Sequence, residues 1–484
     1  MVRCAKTCGG ETENLRKEGT TMNKEVRPFG WRDKVGYLFG DFGNDFTFIL
    51  STMMLLKFYT DVMAVDPSVV GAIMALARIV DAFTDVGMGR ICDRSRLTRA
   101  GKFKPWILRM CVPVAIASFL IYQYGIAGWS NTAKIAYLAV TYLLWSSFCY
   151  TGINIPYGSM ASAISNDPDD RQSLSTFRTM GGTLAGMIIG IGLPLIAYTT
   201  NENGNTVLVG EKVTLAAGVF SILAIVCYLL CYMLVTERVR VESNEGEQVQ
   251  RGVVDMLRSA ANNRSLISII AASIVMLLAQ LTMQGMAGYV YPNYYGSAEA
   301  QSASTACMMV GMVIAAVIAK PLAHKFGKAE VSVASNLFAA GVNLVLFFVR
   351  PDNVWIYVAF QAFSWLGLGI FSMVSWALIT DVIDDAELKN GVREDGSIYA
   401  LYSWARKLGQ AASAGLTGWL LGLVGYSAET AFDPGVTLGI FNISVLVPVL
   451  GFTLLAIVLW FWYPLHKKQV DANVEALKKK HGRM

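Results

Sequence analysis

Residues 77–93 read ARIVDAFTDVGMGRICD and close a run that is otherwise apolar. Asp81 and Asp85 stand four residues apart, so a helix stacks both carboxylates on one face, with Arg78 close to the same side. Lipid cannot face such a surface: an ionised side chain at the centre of a membrane helix costs about 2.5–3.5 kcal/mol even on the lenient insertion scale. Two carboxylates in one span therefore need compensation. A structural ion-pair network tying helices together would supply it, and so would a bound cation or proton. Hard oxygen ligands at this spacing suit the second reading, a site for a coupling ion.

Composition places the chain in a membrane, because 54% of its 484 residues are hydrophobic and only 15% charged. From Val35 onward, windows long enough to cross ~30 Å of hydrocarbon recur near 35–60, 67–90, 105–126, 134–160, 175–199, 213–235, 264–292, 301–323, 330–349, 354–383, 397–425 and 437–463. Basic residues crowd the second connection (Arg90, Arg94, Arg96, Arg99, Lys102, Lys104, Arg109), the sixth (Arg238, Arg240, Arg251, Arg258, Arg264) and the eighth (Lys320, Lys325, Lys328). The first, seventh and eleventh connections carry no Lys or Arg. The basic side is then cytoplasmic, with both termini inside. Lys467, Lys468, Lys478, Lys479 and Lys480 in the tail agree. The net charge of +5 reports orientation, not nucleic-acid binding.

Residues 1–32 are polar, lack the apolar core of a secretory signal and read as a disordered cytoplasmic tail. Met22 is an equally good translation start. Residues 33–236 form a first six-helix bundle, 237–263 a cytoplasmic central loop, 264–464 a second six-helix bundle and 465–484 a basic cytoplasmic tail. GRICDRSRLTRAGKFKPW (89–106) after span two has a weaker counterpart, KPLAHKFGKAE (320–330), after span eight. The halves are parallel repeats. The fold class is an all-α membrane protein, the twelve-helix major facilitator architecture, with its cavity between two pseudo-symmetric halves at the membrane midplane.

Cys111, Cys149, Cys227, Cys231 and Cys307 fall inside apolar runs and read as small apolar fillers, while Cys4 and Cys8 lie on the reducing side. The three histidines, His324, His466 and His481, lie at or beyond the inner face, and no nucleophile, metal or phosphate motif appears. The pattern speaks against an enzyme and implies no cofactor. A membrane sensor is the non-transport alternative, and it would normally carry an added output domain.

GDFGNDF (40–46), FYTD (58–61), RIVDAFTD (78–85), GKFKPW (101–106), NIPYGS (154–159), TDVIDDAE (380–387) and GVREDGSIYALYSWARKLGQA (391–411) occur in order across both halves. In these the chain resembles the glycoside-pentoside-hexuronide:cation symporters. The resemblance implies secondary active transport of a sugar with Na+ or H+ by alternating access. It implies that Asp81, Asp85 and Thr151, before the Asn-Ile-Pro-Tyr turn, form the cation site, and that Asp45 accepts hydrogen bonds from sugar hydroxyls. Arg178 and Lys407 match two cavity cations. Asn154, Tyr157 and Trp404 join the substrate-binding set. Melibiose-carrying members have Asp where this chain has Asn154 and Trp where it has Gly158, and the NIPYGS form is that of glucuronide- and xyloside-type members.

The residues themselves agree in part. Asp41 and Asp45 give α-helical span one a second carboxylate face, Asp41 reading as a helix-end residue and Asp45, one turn deeper, as a ligand contact. Lys407, three residues after Trp404, suits a cavity-facing charge. Lys57 adds a positive charge that favours an anionic sugar. Asp381, Asp384, Asp385 and Glu387 read as one side of an inner gate, salt-bridged to the basic second connection. The expected partners are a small-molecule sugar, the coupling cation and the lipid bilayer, with no nucleic acid, for a chain acting as a monomer in the plasma membrane. A sodium-coupled lysolipid carrier or an uncoupled carrier of the same fold is the alternative within transport.

Overall fold

The computed structural model describes residues 27–98, 100–239, 263–390 and 395–480. The first half contains α1 (Trp31–Lys57), α2 (Pro67–Asp93), α3 (Lys104–Ile121) and α4 (Asn131–Leu143, continued through Leu144–Tyr150 to Thr151–Ile164). It is completed by α5 (Pro168–Met187, continued through Ile188–Gly192 to Leu193–Ala197) and α6 (Gly210–Leu234). The second half contains α7 (Arg264–Tyr289), α8 (Ala298–Phe326), α9 (Lys328–Val349), α10 (Val354–Asn390), α11 (Asp395–Leu423) and α12 (Pro434–Ile457). A further helix, α13 (Lys467–Lys480), follows. A hairpin of β1 (Tyr198–Thr200) and β2 (Thr206–Leu208), paired antiparallel with Tyr198 opposite Leu208, joins α5 to α6.

Local chemistry sets the helix starts. Asp66 caps α2 by accepting from the Ser68 and Val69 amides at 2.8 and 3.3 Å, with Pro67 at the first helical position. Ser130 and Ser297 cap α4 and α8 in the same way. Eight of the long helices are apolar enough to cross a membrane by composition alone; α1, α2, α4 and α11 fall short. Those four carry most of the polar residues singled out above. Pro156 sits inside the helical part of α4, so the expected Asn-Ile-Pro-Tyr turn is continuous helix.

At the face that carries the basic connections, four acids are held within their own half. The Glu237 carboxylate accepts from the amides of Lys102, Phe103 and Lys104 at 2.6, 3.0 and 2.7 Å, satisfying donors at the start of α3. Gly101, at φ 120°, leaves the room, since a Cβ there would lie 2.4 Å from that carboxylate. Asp33 is held by Arg27 and Arg238, both at 2.8 Å, which ties the start of α1 to the end of α6. In the second half Lys328 pairs with Asp381 at 2.6 Å, and Asp385 accepts from Lys389 at 2.6 Å and from Ser265 at 2.9 Å.

The acidic run is therefore engaged within its own half at Asp381 and Asp385, and Glu237 takes the place expected for it against the second connection. Arg27 belongs to the folded bundle and not to the tail. The expected disorder of residues 1–26, and most of the central loop, lie outside the described residues. The segment expected to be a simple basic tail contains α13, whose buried Asn473 donates to Asp385 at 3.4 Å.

The halves are joined at the face opposite the basic connections. There Lys57 donates to Asn293 at 2.5 Å and Tyr426 at 2.9 Å, Ser302 to the Ile191 carbonyl at 2.8 Å, and Thr206 to the Gly296 carbonyl at 2.6 Å. Small residues let α2 and α11 close on each other: a Cβ on Gly418 would lie 2.3 Å from the Pro67 carbonyl oxygen, and one on Gly422 2.1 Å from Ser68 Oγ. Towards the basic face the halves part. A Cβ on Gly87 or Gly89 would meet nothing within 4 Å, and Thr176, Thr179 and Thr183 of α5 are exposed.

Gly418→Leu forces α2 and α11 apart, so it is expected to destabilise the purified chain by about 1–3 kcal/mol, the usual cost of overpacking. Thermal unfolding checks this, and an unchanged melting temperature would mean the seam is loose.

Candidate functional site

The carboxylate pair on α2 faces α4 and α11. Ser146 Oγ and Ser147 Oγ both donate to Asp81 Oδ1 at 2.6 Å, and Thr151 Oγ1 donates to Asp85 Oδ1 at 2.8 Å. The wide turn Leu144–Tyr150 makes this possible. It adds a residue to the turn, as the Thr151 amide donating to the Ser146 carbonyl five residues back shows, and so brings three hydroxyls round to α2. Arg78 Nη1 lies 3.5 Å from Asp81 Oδ2, with its guanidinium 4.8 Å from the centre of the Phe48 ring. From the second half, Lys407 Nζ pairs with Asp85 Oδ2.

Arg78, Asp81, Asp85, Thr151 and Lys407 line a cavity of about 200 Å³, completed by Phe48, Tyr150, Asn154 and Gln410, with Ser146 and Ser147 buried behind Asp81. It adjoins a smaller one of about 80 Å³ and an apolar one of about 230 Å³, and Phe48 stands in the wall of all three. Among the described residues no cluster of three or more His, Cys, Asp or Glu gathers to hold a metal. The cavity offers two carboxylates and hydroxyl oxygens, a set suited to an alkali cation or a proton.

The structure brings Asp81, Asp85, Thr151, Asn154 and Lys407 together. Asn154 accepts from Asn44 Nδ2 at 3.5 Å, and Asn44 Oδ1 accepts from Tyr228 at 2.9 Å. Arg178 and Asp45 form a separate group against α5. Arg178 Nε donates to Asp41 Oδ1 at 3.0 Å, so Asp41 is a buried ion-pair partner and not a helix-end residue. The carboxylates of Asp41 and Asp45 both lie over Gly182, where a Cβ would come within 3.2 and 2.4 Å of them. Gly182 is what admits two acids beside α5.

Two expected substrate contacts lie elsewhere. Tyr157 is 1% exposed: it stacks on Tyr37 at 4.6 Å and donates to the Tyr37 carbonyl at 2.7 Å, locking α4 to α1. It reaches the site only by shelving Arg178, 5.3 Å from its ring centre. Trp404, one turn from Lys407 toward the basic face, is 36% exposed and outside the walls of the three cavities. Lys57 is spent on Asp61 at 2.8 Å and on the cross-half bonds to Asn293 and Tyr426, so it is part of the seal. The sequence reading missed Ser146, Ser147, Phe48 and Gln410. Adjacent serines in the apolar run LLWSSFCY (143–150) were the visible signal for the first two.

Two six-helix halves closing on a polar cavity lined by charged side chains define a multi-pass transporter of the major facilitator class. A sequence model described as MFS/sugar transport protein matches residues 36–467, and the chain belongs to that family. It is 30% identical to the glucuronide carrier protein homolog of Escherichia coli (93% of this chain, 95% of that one). It is 28% identical to the isoprimeverose transporter of Lactiplantibacillus pentosus (93% and 92%) and to the putative sulfoquinovose importer of Salmonella typhimurium (93% and 94%). The D-xylose-proton symporter shares the fold, with a TM-score of 0.61 at 13% identity over 89% of this chain and 97% of that one. The motif resemblance is thereby borne out, and the protein is a sugar-family transporter, not an enzyme.

Tyr157→Phe removes one buried hydrogen bond and should lower stability by about 1 kcal/mol while leaving sugar affinity unchanged. Thermal unfolding and a binding titration on the same sample check it. A selective loss of affinity would restore Tyr157 to the substrate site.

Proposed function

We propose that this protein is a cation-coupled sugar symporter, carrying a glycoside, pentoside or hexuronide together with Na+ or H+ across the plasma membrane, with both termini in the cytoplasm. The observation that supports the proposal is the pairing of Asp85 with Lys407, in which one carboxylate of the candidate ion-binding pair also makes a contact between the halves.

The charge balance gives the mechanism. Asp81 and Asp85 contribute two negative charges, and Arg78 and Lys407 two positive ones. An arriving cation would add a charge to a neutral cluster in low dielectric, so its binding favours release of Lys407 from Asp85. The serine and threonine hydroxyls already turned toward the carboxylates supply neutral oxygens around it. A proton does the same by neutralising one carboxylate of the pair. Lys407 is then free to meet substrate, and sugar binding and ion binding strengthen each other by linkage. Asp45 and Arg178 act on the polar hydroxyl or acidic end of the sugar.

The open side lies at the basic connections and the seal at the opposite face. With the basic face in the cytoplasm, this is the inward-facing arrangement of an alternating-access cycle. With sugar but no ion bound, Lys407 drawn to the sugar would leave Asp85 unbalanced, so the half-loaded carrier reorients poorly, whereas the empty carrier keeps the Lys407–Asp85 pair and a neutral cluster.

In right-side-out vesicles, Asp81→Asn and Asp85→Asn are expected to reduce sodium- or proton-gradient-driven sugar accumulation by more than about tenfold, roughly the loss of one charge-assisted contact. Exchange without a gradient should survive. Gradient-driven uptake that persists in both variants would reject the coupling role. Lys407→Gln should raise the apparent affinity for the coupling cation, and an unchanged affinity in a direct ion-binding titration would reject displacement of Lys407.

A further inference from the structure

The largest of the three cavities plays no part in the ion chemistry. It occupies about 230 Å³ between α1 and α5 of one half and α7, α8 and α10 of the other. Among the described residues no charged side chain lines it. Its wall combines methionines, such as Met308 and Met309, with the amides Gln284, Gln301 and Gln361 and the indole of Trp365.

Gln301 is the feature that a mere packing gap would not have. It is 3% exposed, yet its Oε1 has no hydrogen-bond partner, and the residue forms part of the cavity wall. A buried acceptor left unmatched costs about 1–3 kcal/mol. Gln361 is oriented by a buried chain: its Nε2 donates to Asn343 Oδ1 at 3.2 Å, and Asn343 donates in turn to Ser364 at 2.7 Å. An amide held in place and a residue whose buried amide oxygen lacks a donor thus both belong to the wall of one neutral, partly aromatic space, and a small turn of the Gln301 amide would bring that oxygen to the cavity.

We propose that this cavity is a subsite for a second, uncharged sugar ring of the transported glycoside, with a ring hydroxyl donating to Gln301 Oε1. This deepens the reading given under Proposed function and rests on it. An ionised group is excluded by the absence of any counter-charge in the wall. A purely apolar guest would leave Gln301 unsatisfied. A sugar ring offers both hydroxyl donors and an apolar C–H face for Trp365 and the methionines. The volume lies below the roughly 300–1,000 Å³ of sites that take a whole drug-sized ligand, which suits one ring and not an entire disaccharide. Phe48, shared with the ion cavity, then marks the junction between the ring near the charged groups and the ring beyond it.

The test is calorimetric binding to the purified full chain in lipid nanodiscs. The probes are matched one-ring and two-ring sugars: methyl β-xyloside and xylobiose, methyl α-galactoside and melibiose, D-glucuronate and cellobiouronate. For at least one pair the two-ring member should bind more tightly. Gln301→Leu should cut that advantage by about fivefold to tenfold, the effect of one hydrogen bond, and leave the one-ring affinity unchanged. Met309→Phe, which fills the space without touching the amide, should cut it as well, so misfolding of one variant does not decide the matter. One-ring binding with no two-ring gain, or an equal loss for both members in the variants, overturns the subsite and leaves the symport reading intact. No binding of any probe to the native chain overturns both.

Discussion

A charge placed in hydrocarbon must be balanced locally, and the contact between Lys407 and Asp85 is where this protein does so across its two halves. The pair lies in a cavity and not against lipid, and hydroxyls of α4 complete the shell around the acids. Everything about the helices nearby serves that arrangement. The wide turn in α4 aims Ser146, Ser147 and Thr151 at α2, and the Phe48 ring shelters Arg78. Because the balancing lysine comes from the other half, the charge state of the site and the relation of the halves are one variable. That link, more than any single ligand, is what the proposed coupling of ion to sugar would require.

The two faces of the molecule use different physics. At the far face the halves are held by close backbone approach, through Gly71, Gly418 and Gly422, and by neutral or buried hydrogen bonds around Lys57. At the basic face four acids are satisfied within their own half: Glu237 at the start of α3, Asp33 between α1 and α6, and Asp381 and Asp385 on α10. Small-residue packing of this kind is tight when formed and has no long-range pull when broken. Self-contained ion networks let each half keep its shape while the gap between them opens. Both properties favour rigid-body rocking over local unfolding.

Within the cavity, polarity is divided. Arg78, Asp81, Asp85 and Lys407 gather on one side of Phe48, and an uncharged wall of amides, methionines and Trp365 lies on the other. Asp41, Asp45 and Arg178 form a third group outside the walls of these cavities, admitted by the bare Cα of Gly182. A substrate with unlike ends would meet unlike surroundings, so the site has a direction.

How much was legible beforehand depended on whether the signal was local. Hydropathy runs of membrane length, the basic connections and the i, i+4 acids are properties of short stretches, so the amino-acid order alone established about twelve spans, two repeated halves and a charged face on α2 that could not meet lipid. Motifs carried Asp81, Asp85, Thr151, Asn154 and Lys407 to one place. Partner choice is not local. That Tyr157 locks two helices, that Lys57 seals the far face, that Asp381 and Asp385 are engaged inside their own half, and that Ser146 and Ser147 serve Asp81 all depended on which helix packs beside which. Helical spacing tells which side chains share a face but not what that face meets. The latter is set by contacts between residues far apart in the chain, such as the 322 positions separating Asp85 from Lys407, and only the assembled bundle decides them.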